Sequence, residues 1–437
     1  MLKRSKYNIE VYTNKNGDKL LFNGYTTALG IMNKDTQKIY NNIEKLEDNL
    51  NNDGRVQRDI NILKENGFLV DENIDEYERI NLIQRLQRYS TKELKLTIAP
   101  TMNCNMACPY CYEEKNNSKI SEDTLIKLID FIKNYLLENG VKTLTTKWYG
   151  GEPLIALDTI KKLSKELIKI CDENNIKYTS SIVTNGILLD KATAKTLKNL
   201  CNVSSVQITI DGTKNVHNKR RILKSKGNSF EIITNNIETI KELLKVIIRI
   251  NIDKENLHDI PNLIDYLIDE RSWGDKVNIY FYPIVKQTDA CKANISNCFT
   301  QDEFGMVHKQ LLNIIHNKKN NSFIDDMYPR KAYTSCAAIC ANSLVIDPEG
   351  NFYTCWDLVG VKNRSIGNVY DGIVVNEEYL KWLTLDTPSQ CKKCNHLPIC
   401  GSGCPFSRLQ NGNKPICGFQ KISLNELLKL TYEESYI

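Results

Sequence analysis

The chain is predicted to be α/β: a partial (β/α)6 barrel, preceded by a winged-helix-like domain and followed by a loop-rich, cysteine-bearing domain. Three observations carry this. From Leu94 onward, six short runs rich in β-branched and aromatic residues alternate with helical stretches, the rhythm of a parallel sheet covered by helices. The first ninety residues hold no cysteine and read as strands followed by helices. Eleven of the fifteen cysteines fall either at 104–111 or between 336 and 417.

In chain order, YNIEVYT (from Tyr7) and KLLFN (from Lys19) flank the turn residues Asn16, Gly17 and Asp18, a β-hairpin signal. TTALGIM supplies a third strand, and DTQKIYNNIEKL and RVQRDINILKENGFLV carry apolar residues at helical spacing. These make a domain at 1–90. The barrel, at 91–300, takes its strands from LKLTIA (94), LTTKWY (144), YTSSIVT (178), VQITID (206), VIIRINI (246) and VNIYFY (277). Helices are expected near 121–137, 158–173, 189–200, 229–244 and 258–271. Six units fit an open barrel better than a closed eight-fold one, with ligand chemistry at the C-terminal strand ends. A linker at 301–330 leads to a tail at 331–437 that is thin in core, for which a metal scaffold compensates.

Composition narrows the function classes. Lys+Arg 58 against Asp+Glu 53 leaves +5, too even a balance for a nucleic-acid partner. No run of eighteen apolar residues exists, so no membrane span is expected. The opening MLKRSKYN has no apolar segment behind it and is not a signal peptide. A cytoplasmic chain is expected, and there cysteines are metal ligands rather than disulfides.

TMNCNMACPYCYEE places Cys104, Cys108 and Cys111 in a C-x3-C-x2-C loop after the first barrel strand. Structural zinc takes four ligands. A [4Fe–4S] cluster on three thiolates leaves one iron open to a small molecule; zinc with a fourth ligand from elsewhere is the alternative. Tyr110 and Tyr112 are placed to pack over the loop. This spacing resembles the signature of the radical S-adenosylmethionine (SAM) enzymes, over roughly 94–300. The resemblance implies that the open iron is chelated by SAM. WYGGEPL then puts Gly150, Gly151, Glu152 and Pro153 at the end of the second strand, where the family's motif holds the SAM amino group. Thr184 and Asn185 in VTNG end the third strand. Gln207, Thr209 and Asp211 alternate along the fourth strand, and His217, Arg220 and Arg221 follow in DGTKNVHNKRR. Arg249 and Asn251 share a face of the fifth strand. Of these, Thr184, Asn185, Gln207, Thr209, Asp211, Arg221, Arg249 and Asn251 are expected SAM contacts by the same resemblance; satisfied polar groups at a barrel mouth are the plainer reading of each.

The tail runs Cys336-x3-Cys340-x14-Cys355, then Cys391-x2-Cys394-x5-Cys400-x3-Cys404, then Cys417. Eight cysteines suffice for two four-thiolate sites, two zinc ribbons being the other way to use them. The C-x3-C-P ending at Cys404 is similar to bacterial two-cluster ferredoxins, where the last cysteine serves the other cluster. That logic puts Cys391, Cys394, Cys400 and Cys417 on one [4Fe–4S] cluster and Cys336, Cys340, Cys355 and Cys404 on a second. The arrangement resembles the SPASM domain, the auxiliary-cluster extension of radical SAM enzymes that modify peptides, over roughly 330–425. Cys336 lies closer to Cys340 than is commonest there; with Cys336 outside the ligand set, one auxiliary iron is open to a substrate thiolate. Cys171 and Cys201 read as small core residues, and Cys291 and Cys298 as incidental.

The resemblance implies reductive cleavage of SAM to a 5′-deoxyadenosyl radical, fed by a low-potential donor such as flavodoxin or ferredoxin. The radical removes hydrogen from an unactivated carbon. The expected substrate is a ribosomally made precursor peptide, its leader added as a strand to a sheet edge of the N-terminal domain. The expected product is a thioether between a cysteine sulfur and a carbon; carbon–carbon crosslinking and epimerisation are other outcomes of such maturases. A second reading is anaerobic sulfatase maturation, oxidising Cys or Ser to formylglycine. In that group an Asp base directly follows the third auxiliary cysteine; here Trp356 does, and Asp357 comes one later, which counts against it. A non-enzymatic electron-transfer protein is the third, and it leaves GGEP unexplained.

Overall fold

A computed structural model describes all residues except 47–53, 115, 275, 287, 289, 319–325 and 437. The chain forms two units, one of 1–88, 301–336 and 385–437, the other of 89–300 and 337–384.

The first unit begins with β1 (Leu2–Arg4), β2 (Asn8–Thr13), β3 (Lys19–Asn23), β4 (Leu29–Met32) and β5 (Leu69–Asp71), with α1 (Lys34–Leu46), α2 (Gly54–Glu65) and α3 (Glu76–Arg88). The expected hairpin and third strand are the antiparallel sheet β2-β3-β4; β1 pairs separately with β5. Alternation along β3 serves two cores. Leu21 packs with Met32, Ile39, Ile43, Ile60, Leu63 and Phe68 on the α1–α2 side. Leu20 and Phe22 pack with Ile9, Val11, Leu424 and Leu428 on the other. Leu424 and Leu428 belong to the helix Gln420–Tyr436, which also packs on helix Gln301–Asn317. The segment expected as a linker therefore opens with seventeen helical residues whose face of Phe304, Leu311, Leu312 and Ile315 is buried. The rest of it includes 319–325, which lie outside the described residues.

The second unit is the barrel. Its strands β6 (Glu93–Ile98), β7 (Thr143–Trp148), β8 (Lys177–Thr184), β9 (Val203–Thr209), β10 (Lys245–Ile252) and β11 (Val277–Pro283) pair in parallel, each with its sequence neighbour. Helices α4 (Glu122–Glu138), α5 (Leu157–Glu173), α6 (Lys191–Cys201), α7 (Lys214–Arg220), α8 (Ser229–Ile240) and α9 (Ile260–Asp265) lie between them. Ser121 and Asp190 cap α4 and α6 by accepting from the backbone of Thr124 and Thr193, the usual remedy for unpaired N–H groups. One strand face is aliphatic and buried, as in Leu94, Leu96 and Ile98. The alternate face is polar: Thr145 bonds Glu93 and Thr179, and Tyr280 donates to Gln207. The helix expected over 258–271 is instead short, α9 passing into a π-type turn at Tyr266–Glu270.

The tail is divided. Residues 337–384 join the barrel unit, where β12 (Ser343–Ile346) pairs in parallel with β6 and turns antiparallel into β13 (Phe352–Tyr353). Residues 385–437 join the first unit. No helix among the described residues is long and apolar enough to cross a membrane.

Candidate active site

The C-x3-C-x2-C loop leaves the end of β6 and is gripped by three segments of the barrel unit. On one side, Gly151 N donates to Thr101 O (3.1 Å) and Glu152 N to Asn103 O (2.8 Å). Gly150 has φ +114, and a Cβ there would stand 2.4 Å from Thr101 O. The two glycines exist because only a bare backbone fits against the cysteine loop. In the middle, Ala107 N donates to Ile222 O (2.8 Å) and Lys224 N to Asn105 O (3.0 Å), with Met106 bridging Leu223. At the far end, Lys292 N donates to Pro109 O (3.0 Å), Cys291 Sγ to Tyr110 O (3.4 Å) and Thr288 Oγ1 to Tyr112 O (2.5 Å). Cys291, expected to be incidental, is thus a buried contact of the loop. Neither of the last two grips is visible in sequence, because both need distant backbone brought alongside. Cys171 and Cys201 are buried in α5 and α6, as expected of small core residues.

Glu152 is fully buried and works as a strut between β7 and β8. Its Oε1 accepts from Leu154 N (3.0 Å) and Thr184 Oγ1 (2.6 Å), its Oε2 from Asn185 N (2.7 Å). Burial pushes its carboxyl up, against the three donors that favour the charged form. A carboxylate has about four acceptor positions, so Oε2 retains one for a ligand. Pro153 opens the short turn that follows. Asn185 Nδ2 donates to Asn105 Oδ1 (2.6 Å) and lies 3.9 Å from Cys104 Sγ; Met106 N lies 3.4 Å from the same sulfur.

The polar residues expected on β9 and β10 divide into two groups. Asp211 is fully buried and its oxygens are engaged: Oδ1 accepts from Asn251 N (3.0 Å), Oδ2 from the Tyr110 hydroxyl. Arg221 Nη1 donates to that hydroxyl (2.9 Å). Burial works against the Arg221 charge, but Tyr110, Cys108 and Asp211 outweigh it and hold the guanidinium protonated. His217 Nδ1 accepts from Asp211 N (3.3 Å); burial and then the two arginines push its pKa well down, so it is neutral. Arg220 forms a buried bidentate pair with Asp253 (3.1 and 2.9 Å). These residues tie the cysteine loop to the strand ends. Gln207, Thr209, Arg249 and Asn251 line the barrel mouth; Arg249 Nε donates to Asn251 Oδ1 (2.7 Å) and lies over the Tyr282 ring (4.4 Å).

Beside the loop an aromatic wall forms that the motifs did not announce. The hydroxyls of Tyr112 and Tyr149 share a hydrogen bond, Tyr149 packs on Trp356 (centroids 4.7 Å), and Lys147 lies over Trp356 (5.2 Å). Asp357 accepts from Cys355 Sγ (3.7 Å); burial pushes its carboxyl up, while Cys355 and the Arg249 charge pull it down.

In the tail, Cys336 and Cys404 belong to the first unit, Cys340 and Cys355 to the barrel unit. Cys391, Cys394, Cys400 and Cys417 all lie in the first. The Cys391 thiol is pushed up to about 11 by burial and by the neighbouring Cys400, Cys394 and Cys417. Burial also raises Cys400, against the Ser402 and Gly403 N–H groups aimed at its sulfur. Among the described residues no three His, Cys, Asp or Glu side chains are already gathered as for a metal ion. The fit is made by donor chemistry: reduced thiols with N–H groups on their sulfurs, the environment of an iron–sulfur ligand.

Residues 98–267, which hold the cysteine-bearing loop and most of the partial parallel barrel, match the family described as the Radical SAM superfamily. The chain therefore carries a radical SAM domain and is an enzyme. Over 376 residues it is 24% identical to the cysteine-type anaerobic sulfatase-maturating enzyme of Clostridium novyi (strain NT), covering 78% of this chain and 97% of that one. It is 23% identical to the radical SAM cyclopropyl synthase TigE of Paramaledivibacter caminithermalis, covering 85% and 82%. Streptococcus suis SuiB bound to precursor peptide SuiA superposes with a TM-score of 0.54 at 16% identity, over 94% of this chain and 97% of that one, a likeness of fold. With a radical SAM domain present, the electron-carrier reading falls away.

Proposed function

We propose that this enzyme is a peptide maturase that forms a thioether between a cysteine sulfur and a carbon of a ribosomally made precursor. The observation that carries the reading is the N-terminal sheet. Its β2 edge is occupied, since Asn425 Nδ2 donates to Glu10 O and Val11 O (3.5 and 3.3 Å). No strand among the described residues pairs with the outer edge of β4. An edge with unpaired N–H and C=O groups accepts an extended leader peptide as a further strand. The fold shared with SuiB over 94% of the chain supports the same view.

Cys104, Cys108 and Cys111 hold the SAM-binding [4Fe–4S] cluster in this reading, and the eight tail cysteines hold two auxiliary clusters. The bound cluster and SAM supply a 5′-deoxyadenosyl radical. The chain's own residues do the placing. Gly150 and Gly151 let the loop seat. Glu152 keeps an acceptor for the SAM ammonium while fixing Thr184 and Asn185. Gln207, Thr209, Arg249 and Asn251 offer polar contacts to the rest of SAM, as does Arg221, whose buried Nε has no partner among the described residues, whereas Asp211 is engaged by Tyr110 and the Asn251 backbone. The wall of Tyr112, Tyr149 and Trp356 keeps water from the reacting centre. A low-potential flavodoxin or ferredoxin is the expected donor.

Sulfatase-type oxidation to formylglycine is the second reading, favoured by a specific observation. Trp356 displaces the expected base in sequence, yet Asp357 is half-buried within electrostatic reach of Arg249 and Tyr112. A carboxylate is therefore available despite the shift of one position.

The test incubates the anaerobically reconstituted enzyme with SAM, dithionite and either a leader-bearing, cysteine-containing precursor peptide or a sulfatase peptide. Loss of two hydrogens together with one alkylatable thiol from the former supports the thioether, whereas loss of two hydrogens with the thiol intact overturns it; loss of sulfur from the latter supports the second reading. Deleting 1–88 is unsuited to testing leader binding, since it strips the partners of Leu424 and Leu428. Ile31→Lys, on the open edge of β4, is expected to weaken leader binding about tenfold, a loss of about 1.4 kcal/mol, and to leave SAM cleavage intact. Unchanged affinity overturns the leader-edge assignment.

A further inference from the structure

Arg408 is an anomaly of the first unit. Only 1% of it is exposed. Its Nε and Nη2 donate to Asn413 Oδ1 (3.0 and 2.8 Å), Nη1 to Ser402 Oγ (3.1 Å), and Nη2 also to the Asp386 carbonyl. Every acceptor is neutral, and among the described residues no carboxylate stands within ion-pair distance. A buried charge without a countercharge costs several kcal/mol, and folded proteins pair such groups or bind them to an anion. Among the described residues the other buried arginines, Arg220 and Arg221, both have acidic neighbours, Asp253 and Asp211.

Cysteines stand near Arg408 instead. It follows Cys404 by one helical turn in Pro405–Gln410, and Ser402, which it holds, lies between Cys400 and Cys404. Burial and the Arg88 charge disfavour its own charge, and Cys391, Cys400 and Cys404 work to restore it. As thiols these are neutral; as metal-bound thiolates they are anions. We propose that Arg408 is the resident countercharge of the metal centre built on Cys391, Cys394, Cys400 and Cys417, a positioning residue that raises that centre's affinity for iron. The inference rests on the reading of the tail cysteines as cluster ligands. It also gives the tail a folding logic: the cation is unfavourable in the metal-free unit and favourable once the thiolates are bound, so loading and folding reinforce each other.

The test uses the full chain with Cys104, Cys108 and Cys111 all changed to Ala, so that iron and sulfide bound on anaerobic reconstitution report on the tail. In this background Arg408→Gln loses the charge and most of the donors, whereas Arg408→Lys keeps the charge but likewise loses the planar fork. Iron retention against a chelator and the gap in melting temperature between loaded and metal-free protein are both measured. Arg408→Gln is expected to lower iron affinity about 10–100-fold, the range for groups supporting metal ligands, and to shrink the melting gap, while Arg408→Lys keeps most of both. A purely hydrogen-bonding role predicts comparable losses in both, since neither side chain reproduces the fork. Equal losses in the two variants, an unchanged gap in Arg408→Gln, or its failure to fold even without metal overturns the proposal. No iron in the parent background refutes the cluster reading itself, a separate failure.

Discussion

Replacing Gly151 by alanine places a methyl carbon 2.3 Å from Asn103 O and 2.5 Å from Met102 O. Carbon–oxygen contacts settle near roughly 3.3 Å, so the glycine turn and the cysteine loop must separate by about 1 Å. Neither yields freely, since Gly151 N and Glu152 N are bonded to Thr101 O and Asn103 O across the same seam. Overpacking of this kind costs about 1–3 kcal/mol. Misplacing a reacting centre by about 1 Å slows chemistry on the order of 100-fold. The assay is 5′-deoxyadenosine formation with SAM and dithionite after anaerobic reconstitution, alongside thermal melting. Gly151→Ala is expected to melt lower and cleave SAM about 100-fold more slowly. Gly140→Ala is the control: its φ is +59, but nothing lies within 4 Å of the added Cβ. It costs about 1 kcal/mol through backbone strain alone and leaves cleavage unchanged. Wild-type cleavage in Gly151→Ala, or an equal loss in Gly140→Ala, would refute the reasoning.

Other expectations follow from the buried polar groups. Glu152→Gln keeps one acceptor oxygen but sets its NH2 against either Asn185 N or the Leu154 and Thr184 donors, and should cost about 1–3 kcal/mol, read as a lower urea midpoint even without metal. Asp253→Ala strands the Arg220 guanidinium and should destabilise by about 3–5 kcal/mol, whereas Glu255→Ala, whose side chain is mostly exposed, should change the midpoint little. Burial lowers His308 from 6.5 to about 4, its Nδ1 bonded to Ser423 Oγ (2.9 Å). The unfolded chain therefore binds the extra proton first. This contribution is complete above pH 6.5 and is lost as pH falls toward 4, by up to about 3 kcal/mol. The difference in urea midpoint between wild type and His308→Gln, followed from pH 7 to pH 4.5, should change in that sense; a flat difference contradicts it.

Much of the site was legible because its signals are local. The cysteine spacing, the glycine pair and the polar strand ends each occupy a few consecutive residues, and the parallel register β6 to β11 follows from six repeated β-α units. Roles were less legible than positions. Asp211 and Arg221 read as ligand contacts; Asp211 is bonded to Tyr110 and to the Asn251 backbone, while Arg221 bonds Tyr110 through Nη1 alone and its buried Nε has no hydrogen-bond partner among the described residues. Trp356 read as a lost base, yet Asp357 lies beside the same cysteine.

The sequence by itself determined which ligand atoms are on offer: three thiols in one short loop and eight in the tail, because residue type and spacing are covalent facts. Tertiary structure decided which polar groups remain for a ligand. It spent Asp211 on Tyr110, closed the β2 edge with Asn425 while leaving that of β4, and buried Arg408 among cysteines. Those outcomes depend on partners far away in the chain, and the free energy of a buried charge or an unpaired edge is set by what packs against it.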